Sequence, residues 1–96
     1  MYLVEIFLPA DPQFSSKRQA LSRELADRFG GLTAFTRAPA KGLFTEQGKH
    51  IEDDVVIFEI MTEVLEDGWW RDLRMRLEDD LQQDEILMRA STVNKL

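Results

Sequence analysis

Cysteine is absent from the 96-residue chain, and histidine occurs once, at His50. The first absence excludes a disulfide framework and any zinc–thiolate site. The second leaves no other imidazole at ligand spacing, so no metal centre is expected. Basic residues are the minority, 12 Lys+Arg against 18 Asp+Glu, for a net charge of −6. Nucleic-acid binding draws on Lys and Arg to neutralise phosphates, and anionic membrane surfaces attract the same side chains. An acidic chain without a basic run is therefore expected to bind neither. No stretch approaches the roughly 18 apolar residues that span a bilayer. The apolar run from Tyr2 to Leu8 is interrupted by Glu5 and has no basic flank, so it reads as a strand rather than a signal peptide. The expected compartment is the cytoplasm. Low-complexity segments and internal repeats are also missing, which leaves a single domain over 1–96.

What remains is a strongly periodic sequence. Residues 2–8 form a first strand, ended by Pro9 and the Asp11-Pro12 turn signal. Ser16 and Gln19 fit a capping box at the start of a helix. Leu21, Leu25 and Phe29 recur every four residues along its inner face, with Ala20 and Ala26 beside them. Gly30 or Gly31 closes it in the left-handed conformation. Strand two is expected over Leu32 to Ala38, bent or stopped at Pro39, and strand three over 54–63. Between them a ribbon turns at Glu46-Gln47-Gly48, a three-residue loop that would pair Thr45 with Lys49 and Arg37 with Ile57. Helix two starts at Asp67 as N-cap, with Trp70, Leu73, Leu77 and Leu81 inward. Asp72–Arg76 and Arg74–Glu78 are candidate surface pairs on it. Strand four covers about 85–93. The order βαββαβ with right-handed crossovers predicts an α+β, ferredoxin-like sandwich: a four-stranded antiparallel sheet with two helices on one face.

Alternation along the strands separates two faces. Even positions (Val4, Ile6, Leu8, Leu32, Ala34, Val56, Phe58, Ile60, Ile86, Met88 and Ala90) are apolar and belong under the helices. Odd positions are apolar too, as at Leu3, Phe7, Phe35, Ile57, Met61 and Leu87, yet each strand carries one charge: Glu5, Arg37, Glu59 and Arg89. In the expected order 4-1-3-2, Glu5 neighbours Arg89 and Glu59 neighbours Arg37. So much apolar surface is unusual on a monomer, and the expected partner is a second copy packed sheet to sheet. The charges then either neutralise one another or face a small polar ligand. Arg37, Glu5, Arg89 and Phe35 are the candidate ligand-binding residues.

His50 and Glu59 are the candidate proton-transfer groups, His50 because its ordinary pKa lies near neutrality. Glu52, Asp53 and Asp54 lack the glycine and spacing of a calcium loop and read as a solvated turn. Trp70 is placed in the core and Trp69 at an edge or interface. Strand three lacks the paired aromatics and basic signature of RNA-recognition domains. No Walker loop, nucleophile elbow or dinucleotide fingerprint is present. No cofactor is implied.

The segment Gly30-Gly31-Leu32-Thr33-Ala34-Phe35-Thr36-Arg37-Ala38-Pro39-Ala40-Lys41-Gly42, with Trp69-Trp70 and Leu77-Glu78, resembles a group of short, uncharacterised bacterial proteins. More loosely, the layout is similar to the dimeric α+β barrel superfamily, whose members include small monooxygenases, isomerases and decarboxylases as well as non-enzymatic binders. Two functions follow as expectations. One is a non-catalytic dimeric module, structural or binding a small polar or anionic ligand on the open sheet face. The other is a cofactor-free isomerase or oxygenase, with Arg37 gripping an anionic substrate and His50 or Glu59 moving a proton. Binding of an unlike protein is a further outcome.

Overall fold

Period-two alternation governs the strands, and the computed structural model, which describes residues 1–36, 41–43, 45–50 and 53–96, bears it out. The elements are β1 (Tyr2–Pro9), a 3₁₀ turn (Pro12–Phe14), α1 (Ser15–Phe29), β2 (Thr33–Glu46), β3 (Lys49–Thr62), α2 (Asp67–Asp80) and β4 (Met88–Thr92). The sheet order is β2-β3-β1-β4, with antiparallel neighbours throughout. Val4, Ile6, Leu8, Val56, Phe58, Ile60 and Ile86 are buried beneath Leu21 and Leu25 of α1 and Trp70, Leu73 and Leu77 of α2. Leu81, one residue past α2, completes this core. Coverage thins towards the flanks: Ala34 on β2 and Ala90 on β4 share the parity of the core yet are exposed. Ala20, expected beside the helix stripe, is exposed as well.

The capping box expected at Ser16 and Gln19 does not form. Asp11 caps the preceding 3₁₀ turn instead, accepting from the Gln13 backbone N–H at 3.0 Å and from Gln13 Nε2 at 2.9 Å. That turn runs straight into α1, so Ser16 already lies inside the helix and Phe14 precedes it without a side-chain cap. Phe14 itself is buried in the core. The backbone hydrogen bond from Gln13, then its side-chain bond, hold the Asp11 carboxyl below the ordinary 3.8, against a small opposing effect of burial and with help from Arg18. Arg18 Nη1 also donates to the Pro9 and Asp11 carbonyls at 2.8 and 2.9 Å, which fixes the β1–α1 connection. Likewise Asp67 falls in the first turn of α2, where its charge suits the helix dipole, rather than at the cap.

Polar ties join the two helices. Arg76 Nη2 donates to both carboxylate oxygens of Glu24 at 2.8 Å, so it turns across to α1 rather than back to Asp72 as expected. Lys17 Nζ donates to the Asp80 carbonyl at 2.7 Å, which satisfies an acceptor left over at the end of α2. Glu78 does two things: it sits 3.9 Å from Arg74 Nε, the expected pair, and it accepts the Ile86 N–H at 2.9 Å, holding the approach to β4.

The largest departure from expectation is the β2–β3 ribbon. Its turn has two residues, Gln47 and Gly48, both at positive φ (50° and 77°), the twist that suits a tight hairpin. Thr45 therefore faces His50 and Glu46 faces Lys49, one residue away from the expected pairing. Nearer the body Phe35 faces Ile57, whereas Lys41 faces Asp54, so the register slips over the stretch that carries Pro39. β1 stops at Pro9, opposite Val55. Everything beyond is a two-stranded arm, and the molecule is correspondingly long, 41 × 27 × 27 Å.

Gly30 ends α1 at φ 83°, its N–H bonded to the Ala26 carbonyl at 2.8 Å, while Gly31 has no positive φ and open space around it. Gly30→Ala should lower stability by about 1 kcal/mol in urea denaturation, and Gly31→Ala should leave the midpoint nearly unchanged. NMR titration should give Asp11 a pKa below 3.8. Because the native pKa is the lower one, whatever the charged cap contributes is present above the unfolded value and fades as pH falls through the native pKa.

Candidate functional site

The face without helices is built by the odd positions of four strands. Leu3, Phe7, Val55 and Ile57 are half-buried there, while Phe35, Met61 and Leu87 stand 47%, 47% and 48% exposed. Glu5 lies at the centre, on β1. Its β4 partner is Arg89, as the alternation predicts, and Arg89 Nε donates to Glu5 Oε1 at 3.0 Å. The Arg89 guanidinium also lies 4.8 Å over the Phe7 ring. Stacking and the ion pair together hold a long side chain flat across an apolar surface.

Glu59 is placed differently from expectation. Its β2 partner is Thr33, because Phe35 takes the position opposite Ile57. Arg37, expected beside Glu59, lies outside the described residues. On β1 the partner of Glu59 is Glu5, so two carboxylates face each other across the middle of the sheet. Glu5 has Arg89 as counter-ion; among the described residues Glu59 has none. Like charges directly opposed are destabilising, and this pair is set in an apolar surround.

His50 is exposed on the arm, close to the hairpin turn. It precedes Glu59 by nine residues on the same strand, about 30 Å at the usual rise per residue. The two candidate proton-transfer groups are thus not brought together within one chain. Asp54 is ion-paired with Lys41 at 2.5 Å. Glu52 falls outside the described residues. Among the described residues, no three His, Asp or Glu side chains converge into a group that could hold a metal ion.

A second feature lies at the opposite end of the core. Trp70 is buried and stacks on Phe29, with centroids 5.1 Å apart, while Trp69 sits half-buried at the edge and meets both rings edge-on. Arg28 lies 4.2 Å over Trp69 and pairs with Glu66 at 3.2 Å, beside a cleft of about 200 Å³. Trp69 thus takes the edge position expected for it. Arg28 carried no signal in the sequence, because the two helix ends that bring it to Trp69 are distant in the chain.

The fold has counterparts of known structure. It is similar to the fold of CutA1. A point variant of CutA1 from Pyrococcus horikoshii OT3 superimposes with a TM-score of 0.63 at 18% identity, covering 100% of this chain and 86% of that one. The divalent cation tolerance protein (CutA1) from Thermus thermophilus gives 0.67 at 13% identity, covering 99% and 86%. The Pyrococcus protein in guanidine hydrochloride gives 0.62 at 18%, covering 100% and 87%. No family model and no curated protein matches the sequence. At these identities the likeness to CutA1 concerns the fold alone.

Relief of the Glu5–Glu59 opposition is measurable. Glu59→Gln should raise stability by about 0.5 kcal/mol in urea at neutral pH. Glu5→Gln should give no comparable gain, since it also removes the charge that pairs with Arg89. Equal gains from both would mean that the Arg89 pair contributes nothing.

Proposed function

We propose that the chain is a non-catalytic, self-associating module whose open sheet face packs against the same face of a second copy. The observation that carries this is the composition of that face. Phe35, Met61 and Leu87 are each about half exposed on one surface with Leu3, Phe7 and Ile57 around them. Large contiguous apolar patches of this kind mark interaction sites, and covering one such side chain fully is worth about 2 kcal/mol. A face shared by two copies about a two-fold axis is self-complementary. The charges support the same occupant. Glu59 lacks a counter-ion on its own chain among the described residues, and Arg89 uses Nε for Glu5, leaving its terminal nitrogens to donate elsewhere. Glu59 of one copy and Arg89 of the other answer each other, which avoids the several kcal/mol cost of burying a lone charge. This is the sheet-to-sheet arrangement of the dimeric α+β barrels that the sequence resembles, and any small polar ligand would lie between the sheets near Glu5 and Glu59.

The arm favours association as well. A two-stranded ribbon is marginal in water by itself, and this one carries Leu43 at 63% exposure. The catalytic reading needs Arg37 beside His50 or Glu59, and Arg37 lies outside the described residues. A divalent-cation role of the kind named for the Thermus protein finds no converging ligand group among the described residues.

In analytical ultracentrifugation the wild type should sediment as an oligomer and Phe35→Asp should shift it towards monomer. Met75→Asp, on the outer side of α2 and 61% exposed, should leave the mass unchanged. A monomeric wild type, or an unchanged mass for Phe35→Asp, overturns the proposal.

A further inference from the structure

Positive charge is scarce in this chain, yet two arginines stand side by side on α2, away from the sheet face that self-association uses. Between α2 and the edge strand β4 lies a cleft of about 180 Å³ lined by Arg71 and Arg74, with Asp67 the only carboxylate in its wall; Arg89 borders it from β4 but commits its guanidinium to Glu5 and Phe7. Trp70 and Met88 contribute apolar lining. Arg71 and Arg74 carry like charges that repel unless an anion joins them, and of the carboxylates at hand neither Asp67 in the wall nor Glu78 on α2 hydrogen-bonds them.

Hydrogen bonding shows the same deficit. Arg71 makes no hydrogen bond or ion pair among the described residues. Arg74 Nε is buried without a hydrogen-bond partner, the only such side-chain atom among the described residues. Its nearest carboxylate oxygen, on Glu78, is 3.9 Å away, beyond hydrogen-bond reach, and already accepts the Ile86 N–H. A buried donor left unmade is costly. The rest of the Arg74 side chain is not sealed in: 43% of it is exposed, so a solute can reach the guanidinium. Arg71 and Arg74 are three apart on α2 and so lie on one face of it. Planar guanidinium groups match the oxygens of phosphates and carboxylates.

We propose that this cleft binds the oxyanion head group, phosphate or carboxylate, of a small anionic molecule. Arg71 and Arg74 donate to its oxygens, and Trp70 and Met88 offer an apolar surface to whatever carbon is attached. Drug-sized ligands occupy pockets of about 300 Å³ or more, so this cleft admits a head group and a short tail. Asp67 opposes the anion and favours a ligand that presents a hydroxyl or ammonium beside it.

The test is NMR titration of the isotope-labelled full chain, following the Arg74 Nε–H and Trp70 indole resonances. The probes are inorganic phosphate, pyrophosphate and malonate. A saturable shift with one of them is expected, and the tighter of phosphate or malonate tells which oxyanion the site is built for. Arg71→Gln and Arg74→Gln should each weaken binding about tenfold, with Trp70 as reporter where Arg74 is gone. Arg23→Gln, an exposed arginine on α1, should leave binding unchanged. Shifts that rise without saturation for all three probes, or Gln variants that bind like wild type, overturn the proposal. Phe35→Asp should still bind, so failure here and failure of self-association are read separately.

Discussion

Two helices can cover one face of a four-stranded sheet, and the strands of this protein are apolar on both. Everything else in the structure answers to that mismatch. Val4, Ile6 and Leu8 of β1 and Val56, Phe58 and Ile60 of β3 find their cover in Leu21, Leu25, Trp70, Leu73 and Leu77, and are buried to within a few per cent. The odd residues find none in the chain. Their apolar bodies surround Glu5, Glu59 and Arg89, so the bare face is hydrophobic but carries charge at its centre.

The helical layer is held together as much by polar ties as by packing. Arg76 spans from α2 to Glu24 on α1, Lys17 spans from α1 to the end of α2, and Glu78 grips the backbone ahead of β4. Exposed pairs of this kind contribute little individually. Their effect is to set the position of α2 along the sheet, and with it the gap between α2 and β4. That gap is where Arg71 and Arg74 face an environment short of acceptors.

The arm follows from the ends of the strands rather than from their faces. β1 terminates at Pro9, which fixes φ and carries no N–H, while β2 and β3 continue to a turn whose two residues both adopt positive φ. A tight turn of that kind preserves the twist of the ribbon, so the two strands stay paired after losing their neighbour. His50 is carried out with them, away from the charged centre of the sheet.

The two faces were legible in the linear sequence because strand alternation is a local property: each side chain's side is decided by its neighbours in the chain. So were the leucines of the helix stripes, a glycine end to α1 at Gly30 or Gly31, the strand order and the Glu5–Arg89 pair, which needs only a β1–β4 adjacency. Register across β2 and β3 was not legible. It depends on how many residues the hairpin turn consumes and on an irregularity between Phe35 and Lys41, and an error of one residue moves every partner. Hence Glu59 faces Thr33 on β2 where Arg37 was expected. The Arg71–Arg74 cleft was hidden for a related reason. Those arginines read as ordinary solvated charges on a helix, and only the packing of α2 against β4 buries Arg74 Nε while committing Glu78 to another donor. Local periodicity determined which atoms face in and which face out; long-range packing decided which polar groups were left without a partner.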